Sequence, residues 1–345
     1  MGSSKSSNAV LAKTLAKYGK RLTDKDYASL LSCKSVSEVV TYLKNNTSYK
    51  ETLKKVNERE VHRGRLELIL RQKLAEDFSS LCIYAQGSSE RFAEFVLRQS
   101  EIEQIVHYLT TITSHHKSDT AFVFPQYFLG MTSIDFLRLA QAKTYDELFD
   151  VLGLSHYGSV LAPYRPAKGE VLNIAKVENV LYRYSYRILY DDIEKYFAGK
   201  EKKALLEMFD SIMDYMNFVR IYRLKRYYKA PYDTAKDYAF PYGSIPEKAR
   251  EKMFNAQTGD EVFSAVEGTA FGRELKKLDY VYAGQIDNLG LYRVTRKNIH
   301  FSTYPLVVMM SYYFVMKTEY DNIVSIIEGV RYNVDSDKIK KIVII

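Results

Sequence analysis

One helical start signal occurs three times in this chain at nearly even spacing: Lys34-Ser35-Val36-Ser37-Glu38-Val39-Val40, Lys143-Thr144-Tyr145-Asp146-Glu147-Leu148-Phe149 and Gln257-Thr258-Gly259-Asp260-Glu261-Val262-Phe263. Each reads as a capping box. Ser35, Thr144 or Thr258 at the N-cap accepts from the N3 amide, and Glu38, Glu147 or Glu261 at N3 reaches back to the N-cap amide. Every copy therefore starts a helix. Two turns on stands an apolar residue (Leu43, Leu152, Val266), then an aromatic (Tyr49, Tyr157, Phe271), then a leucine (Leu53, Leu161, Leu275), with a slip of one residue in the first copy.

A further column repeats in the same order: an acid, two variable positions, an amide and an apolar residue. It reads Glu101 to Gln104-Ile105, Asp214 to Asn217-Phe218 and Glu319 to Asn322-Ile323. From box to motif is about 61 to 70 residues and from box to box roughly 110, which is the period of three copies of one element rather than of scattered caps. The unit boundaries this implies are 1–118, 119–232 and 233–345. An acid at i and an amide at i+3 share one helix face, so each pair can hold the backbone of a neighbouring cap or face a partner; the structural role is the expectation.

Within each unit a short cap hairpin precedes two long antiparallel helices, which makes the predicted fold all-α. In the first, the cap Asp26 to Leu53 leads into a helix from about Arg59 to Ala85 with the 3.6-residue stripe Leu66, Ile69, Leu70, Leu74, Phe78 and Leu81. Gly87 stops it, and the return helix carries Phe92, Phe95, Val96, Ile102, Ile105, Val106 and Leu109. The second unit has its cap from Thr132 to Leu161, a helix from about Leu172 to Phe197, a stop at Gly199 and a return from Lys202 to Tyr228. The third has its cap from Pro246 to Leu275, a helix through Tyr280, Ile286, Leu289 and Val294, and a last helix entered at Ser302-Thr303-Tyr304-Pro305, with Gly329 near its C-terminus. Helices of about 25 residues span roughly 35 to 40 Å, the length of struts.

Low glycine and proline content leaves such helices uninterrupted. Cys33 and Cys82 lie in apolar helical patterns with neither the number nor the spacing of a disulfide framework, which suggests a reducing compartment. The longest apolar stretch, Tyr304 to Met316, is too short and too interrupted to cross a membrane. Met1-Gly2-Ser3-Ser4-Lys5-Ser6 fits both an N-myristoylation pattern and an ordinary Gly/Ser leader, and it lacks secretory-signal features.

Catalytic constellations fail on residue arithmetic, so no catalytic residue, metal ligand or cofactor is assigned. There is no GxxxxGK[ST] phosphate loop. Gly153-Leu154-Ser155-His156-Tyr157-Gly158 is one residue too long for a GxSxG elbow and lies in a repeated cap whose other copies lack the Ser-His pair. His115-His116 stand without a ligand-spaced carboxylate, and Asp335-Ser336-Asp337 lacks the glycine and terminal Glu of a calcium loop, fitting a helix cap instead.

The formal charge is +8 and the pI about 9.0, which suits an acidic or anionic partner. The densest basic-aromatic run is Arg220-Ile221-Tyr222-Arg223-Leu224-Lys225-Arg226-Tyr227-Tyr228-Lys229. Arg220, Arg223, Lys225 and Arg226 are the candidate partner contacts; the same charges also suit a solvated face complementing a helix C-terminus. Thirty tyrosines and no tryptophan fit either core packing with hydroxyls at the edge or a belt near lipid headgroups, and packing is the expectation.

The run Lys317-Thr318-Glu319-Tyr320-Asp321-Asn322-Ile323, followed by Ile326-Ile327-Glu328-Gly329-Val330-Arg331-Tyr332 and Asp337-Lys338-Ile339, resembles the C-terminal signature of a V-type and archaeal-type ATPase component, the C subunit of prokaryotes and d subunit of eukaryotes. Asn8-Ala9-Val10 through Leu22-Thr23-Asp24-Lys25-Asp26-Tyr27 resembles that family's opening helix and first cap, and Asn173 to Glu178 with the Asp214 to Tyr228 run resembles its middle. The chain departs from the pattern in lacking an arginine around Val10 to Lys13, in Gln104 where the other units hold asparagine, and in Glu103 beside Met216 and Asp321.

The resemblance implies an all-helical funnel of three pseudo-equivalent units around a pseudo-threefold axis. It implies a non-catalytic rotor subunit that joins the central stalk to the membrane proteolipid ring, peripheral on the cytoplasmic side, for ATP-linked proton or sodium transport. Its partners would be stalk subunits and the ring, not nucleic acid. Two other classes stay open on the residues alone: a helical-repeat nucleic-acid-binding protein, expected to retain RNA or DNA with a steep salt dependence, and an adaptor for anionic membranes.

Overall fold

The computed structural model describes residues 2–58, 63–85, 89–114, 130–167 and 170–345, and these contain helices and no strand. The stop at Gly87, His115-His116, the connector beyond Ser114 and the boundary at 118/119 lie outside the described residues. Contacts divide the chain into two compact units, one comprising Met1–Arg59 with Ala198–Ile345 and the other Glu60–Phe197.

In the Glu60–Phe197 unit the helices Arg63–Ala85 and Ser89–Ser114 pack together, and Ile174–Tyr196 packs on the second of them. The stripe read from the sequence supplies the core: Leu66, Phe78, Leu81, Phe92, Phe95, Ile102, Ile105 and Leu109 are all buried, and Ile69 and Leu74 are half-buried. Phe95 meets Tyr186 at a ring separation of 5.6 Å. The cap of this unit, Phe136–Gln141, Tyr145–Gly153 and Gly158–Leu161, closes over Leu148, Leu152, Tyr157 and Leu161, which are buried. Full burial of one such side chain stabilises by about 1.5 to 3 kcal/mol.

The other unit is built around Pro305–Arg331, which contacts Gly2–Tyr18, Val36–Asn46, Gly199–Tyr227, Ile286–Phe301 and Ser336–Lys340. Every residue from Leu306 to Met316 is buried, because neighbours cover this helix on all sides. That enclosure accounts for the longest apolar stretch of the sequence, and no described helix is long and apolar enough to cross a membrane. The helix begins with proline at its first position, where the missing N–H has no intrahelical partner to lose. Tyr186, Tyr190, Tyr312, Tyr313 and Tyr320 pack inside their units, whereas Tyr196 is exposed and Tyr182 half-buried.

The three start signals open helices at Val36, Tyr145 and Gly259. Ser35, Thr144 and Thr258 hydroxyls accept from the amides of Glu38, Glu147 and Glu261. The reciprocal half differs from expectation: each Glu carboxylate accepts from the amide one residue before the cap, Lys34, Lys143 or Gln257, at 2.7 to 2.9 Å. The return bond to the N-cap itself forms at an unanticipated box, Thr23 with Asp26, where the shorter carboxylate accepts from the Thr23 amide at 2.8 Å.

One helix boundary also departs from the sequence reading. The helix expected through Tyr280 starts at Ile286, because residues 283–285 form a short 3₁₀ turn and the Gln285 side chain accepts from the Val281 amide. Gly329 lies near the end of the last helix, as expected, two residues before its final residue Arg331. It is a buried residue inside that helix, and the left-handed residue after the end is Asn333 with φ 51°. Val334 N–H donates to the Gly329 carbonyl and Asn333 N–H to the Val330 carbonyl, the paired bonds of a Schellman ending. Gly329 is needed for close approach: a Cβ there would run into the Ile339 side chain.

Candidate functional site

The acid of each repeated motif is buried and holds a cap. Glu101 is 0% exposed and accepts from Thr132 Oγ1 at 2.6 Å and from the Tyr157 hydroxyl at 2.7 Å. Glu319, 4% exposed, accepts from the Leu22 amide at 2.7 Å and from the Tyr49 hydroxyl at 2.8 Å. Asp214 accepts from the amides of Ser244 and Ile245 and from the Ser244 hydroxyl. An ionised carboxylate out of water needs several such donors, and each clamp supplies them.

The donors match the acids. Where the cap aromatic is tyrosine the partner is the longer Glu; where it is Phe271, with no hydroxyl, the partner is Asp, which bonds the backbone and Ser244 instead. Burial, together with the neighbouring carboxylate, pushes the Tyr49 and Tyr157 hydroxyls well above their usual range, so they remain donors. Burial also pushes the Asp214 carboxyl up to about 6, against the lowering effect of its bonds from Ser244 and Ile245. Gly243 permits the Asp214 clamp: its φ is +121°, and a Cβ would collide with the Asp214 carboxylate.

The amides do related work. Asn217 imitates a peptide group, accepting from Phe240 N–H at 2.7 Å while donating to the Phe240 and Tyr242 carbonyls. Asn322 does the same with Ile344 and also donates to the Tyr27 hydroxyl. Gln104 is buried. Beside the Glu101 clamp, Ser155 closes a helix-end turn on the Leu152 carbonyl, while His156 Nδ1 lies 2.7 Å from Ser133 Oγ and its Nε2 lies 3.5 Å from Glu101. Glu101 is already bound by Thr132 and Tyr157, so the histidine braces that clamp.

Each return helix therefore holds the cap that follows it in the chain, and the last holds the first: Glu101 the second cap, Asp214 the third, Glu319 the first. Ser244, Gly243 and Thr132 were missed by sequence reasoning because they lie outside the repeated columns. The pairing of Glu with Tyr and Asp with Phe across the columns was the available signal.

The basic run at the end of Gly199–Tyr227 separates into two kinds of residue. Lys225 is 1% exposed and its Nζ donates to the Ala230 carbonyl at 2.8 Å, closing the chain reversal after the helix. Burial lowers its pKa, and it offers no surface to a partner, so it leaves the set of candidate contacts. Arg220 is half-buried, with its guanidinium 4.3 Å above the Phe240 ring and bonded to the Tyr238 carbonyl. Arg223 and Arg226 are exposed, next to Tyr227 and Tyr228 at 69% and 76% exposure. Arg223 also donates to the Gly284 carbonyl. Among the described residues no group of His, Cys, Asp and Glu is arranged to hold a metal ion.

Residues 10–342 match the family model of the ATP synthase (C/AC39) subunit. The chain belongs to that family. It is 23% identical over 353 residues to the C subunit of the A-type ATP synthase of Haloferax volcanii, a match covering 96% of this chain and 95% of that protein. It is 24% identical over 264 residues to the C subunit of the A-type ATP synthase of Methanosphaera stadtmanae, covering 76% of this chain and 65% of that protein. The resemblance read from the C-terminal signature is thus shown over nearly the whole chain, and the family gives no support to the nucleic-acid-binding alternative.

Proposed function

We propose that this family member acts as a non-catalytic rotor subunit, joining the central stalk of a V/A-type ATP synthase to the membrane proteolipid ring on the cytoplasmic side and passing rotation between them. The observation that carries the reading is the circular order of the buried clamps. Three similar units tied end to start by charged hydrogen bonds resist shear better than an open array, whose terminal repeats have one neighbour each. A joint under torque needs that stiffness, and a stalk contact of more than about 1,000 Å² would keep it from slipping.

Within this proposal the unit boundaries are those of the repeats, 1–118, 119–232 and 233–345. Arg223 and Arg226, with Tyr227 and Tyr228 beside them, supply the stalk contact. ATP hydrolysis belongs to other subunits, consistent with the missing phosphate loop. The test is co-purification of this chain with the soluble stalk complex and with detergent-solubilised ring. Arg223→Glu with Arg226→Glu is expected to weaken the stalk side and leave the ring side intact. Unchanged stalk affinity would remove both arginines, and failure to bridge the two partners would end the reading.

A further inference from the structure

A basic groove of about 910 Å³ lies between Ile286–Phe301 and the segment that follows the Ser336–Lys340 helix, wholly within one compact unit. We infer that this groove is a docking site for an acidic amphipathic helix of a protein partner. The inference stands apart from the proposed stalk contact at Arg223 and Arg226 and does not depend on it.

Charge is the first ground. Lys277, Arg293, Arg296, Lys297, Lys340 and Lys341 line the groove against the carboxylates of Asp279 and Asp337. Lys277 and Arg293 approach Glu274, at 2.5 and 3.6 Å. Among the described residues Arg296, Lys297, Lys340 and Lys341 make no ion pair with a carboxylate, although Lys297 feels the field of Glu274, and the cations of the lining outnumber its carboxylates. Arg293, Arg296, Lys297 and His300 stand on one exposed helix face and span about 10 Å along its axis. Carboxylates at the matching spacings of a second helix would meet that row.

The floor supplies the apolar half of the match. Leu278, Leu289, Tyr292, Val343 and Ile344 line it, and Val281 stands at its rim 65% exposed. The walls are fixed in advance: Gln285 Nε2 donates to the Lys341 carbonyl at 2.6 Å, and Ile344 is paired through its backbone with Asn322. A preformed groove spares a partner the cost of ordering it. Nucleic acid fits less well, because Tyr292 is half-buried with the Arg296 guanidinium 5.7 Å from its ring and offers no open face for a base to stack on. A bilayer surface cannot follow a concavity, so a helix-in-groove contact is the mode the shape admits.

The test places p-benzoylphenylalanine at the exposed rim position Val281 and photolyses the assembled ATP synthase. The expected product is a crosslink to one protein segment that is acidic and carries apolar residues at helical spacing. Arg296→Glu, Lys297→Glu and Lys340→Glu together are expected to cut its yield about tenfold, with the glutamine versions intermediate, as loss of charge complementarity requires. A crosslink to lipid or nucleic acid, a crosslink to a segment without that pattern, no crosslink in the assembled complex, or a yield indifferent to charge reversal in a variant with unchanged circular dichroism would each overturn the inference. Should the charge-reversed chain fail to fold, the identity of the segment captured by the otherwise unaltered chain still decides.

Discussion

Glu319 accepts a hydrogen bond from the backbone amide of Leu22, 297 residues earlier in the chain. This one contact ties the last long helix to the start of the first cap, and the Tyr49 hydroxyl on the same carboxylate ties it to the end of that cap. Glu319→Gln replaces one acceptor oxygen by a donor in a buried site, and should cost about 2 kcal/mol or more. Amide hydrogen exchange should quicken in Asp24–Leu31 and Lys50–Leu53 while the second cap, Tyr145–Gly153, stays protected. Equal loss of protection in both caps would show that the clamp is not local.

The Asp214 clamp should be sensitive to pH. Its carboxyl titrates near 6 in the fold and near about 3.9 when unfolded. The folded state therefore binds the proton more tightly. The resulting stabilisation is fully present below the unfolded value and is lost as pH rises through about 6. Relative to Asp214→Asn, the unaltered protein should gain about 1 kcal/mol between pH 7.5 and pH 5, read from denaturant unfolding at each pH. A flat difference between the two proteins would contradict it.

Two glycines should respond oppositely to alanine. Gly243→Ala adds a Cβ at φ +121° against the Asp214 carboxylate and should destabilise by about 1 to 3 kcal/mol. Gly153→Ala adds one into open space at a helix end and should stabilise by about 0.5 kcal/mol. Thermal unfolding of both variants gives the comparison, and similar melting shifts would remove the steric argument at Gly243.

The three caps should be energetically alike. Ser35→Ala, Thr144→Ala and Thr258→Ala each delete one hydroxyl acceptor at a helix start, and each should cost about 1 kcal/mol. Values agreeing within about 0.5 kcal/mol would match the equal geometry. A cost confined to a single copy would mean that the three starts are not equivalent elements.

Much of this was legible from local pattern. Helix starts at Val36, Tyr145 and Gly259, the strut core of Leu66, Phe78 and Phe95, and the cap columns ending in Leu53, Leu161 and Leu275 follow from spacing, because a cap or a helix face involves residues within a few positions of each other. The basic run could not be sorted in the same way. Lys225 and Arg226 are neighbours of like charge, yet one is buried on the Ala230 carbonyl and the other lies in solvent. Gly329 was legible as a residue near a helix end, but the need for glycine there was not, since what decides it is the Ile339 side chain arriving from the next helix.

By itself, then, the order of residues determined a helical chain in which one helix-start signal recurs three times, the places where those helices begin, and the family to which it belongs. Only the tertiary structure decided which cap each buried acid holds, which cation is internal and where a basic groove opens. The reason is physical: helix propensity, capping and periodicity act over a few residues, whereas the partner of a buried charge is whatever donor the packing brings to it. Leu22 and Glu319 carry no mark of each other in sequence, and their hydrogen bond exists only because one compact unit packs the first residues of the chain against the last long helix.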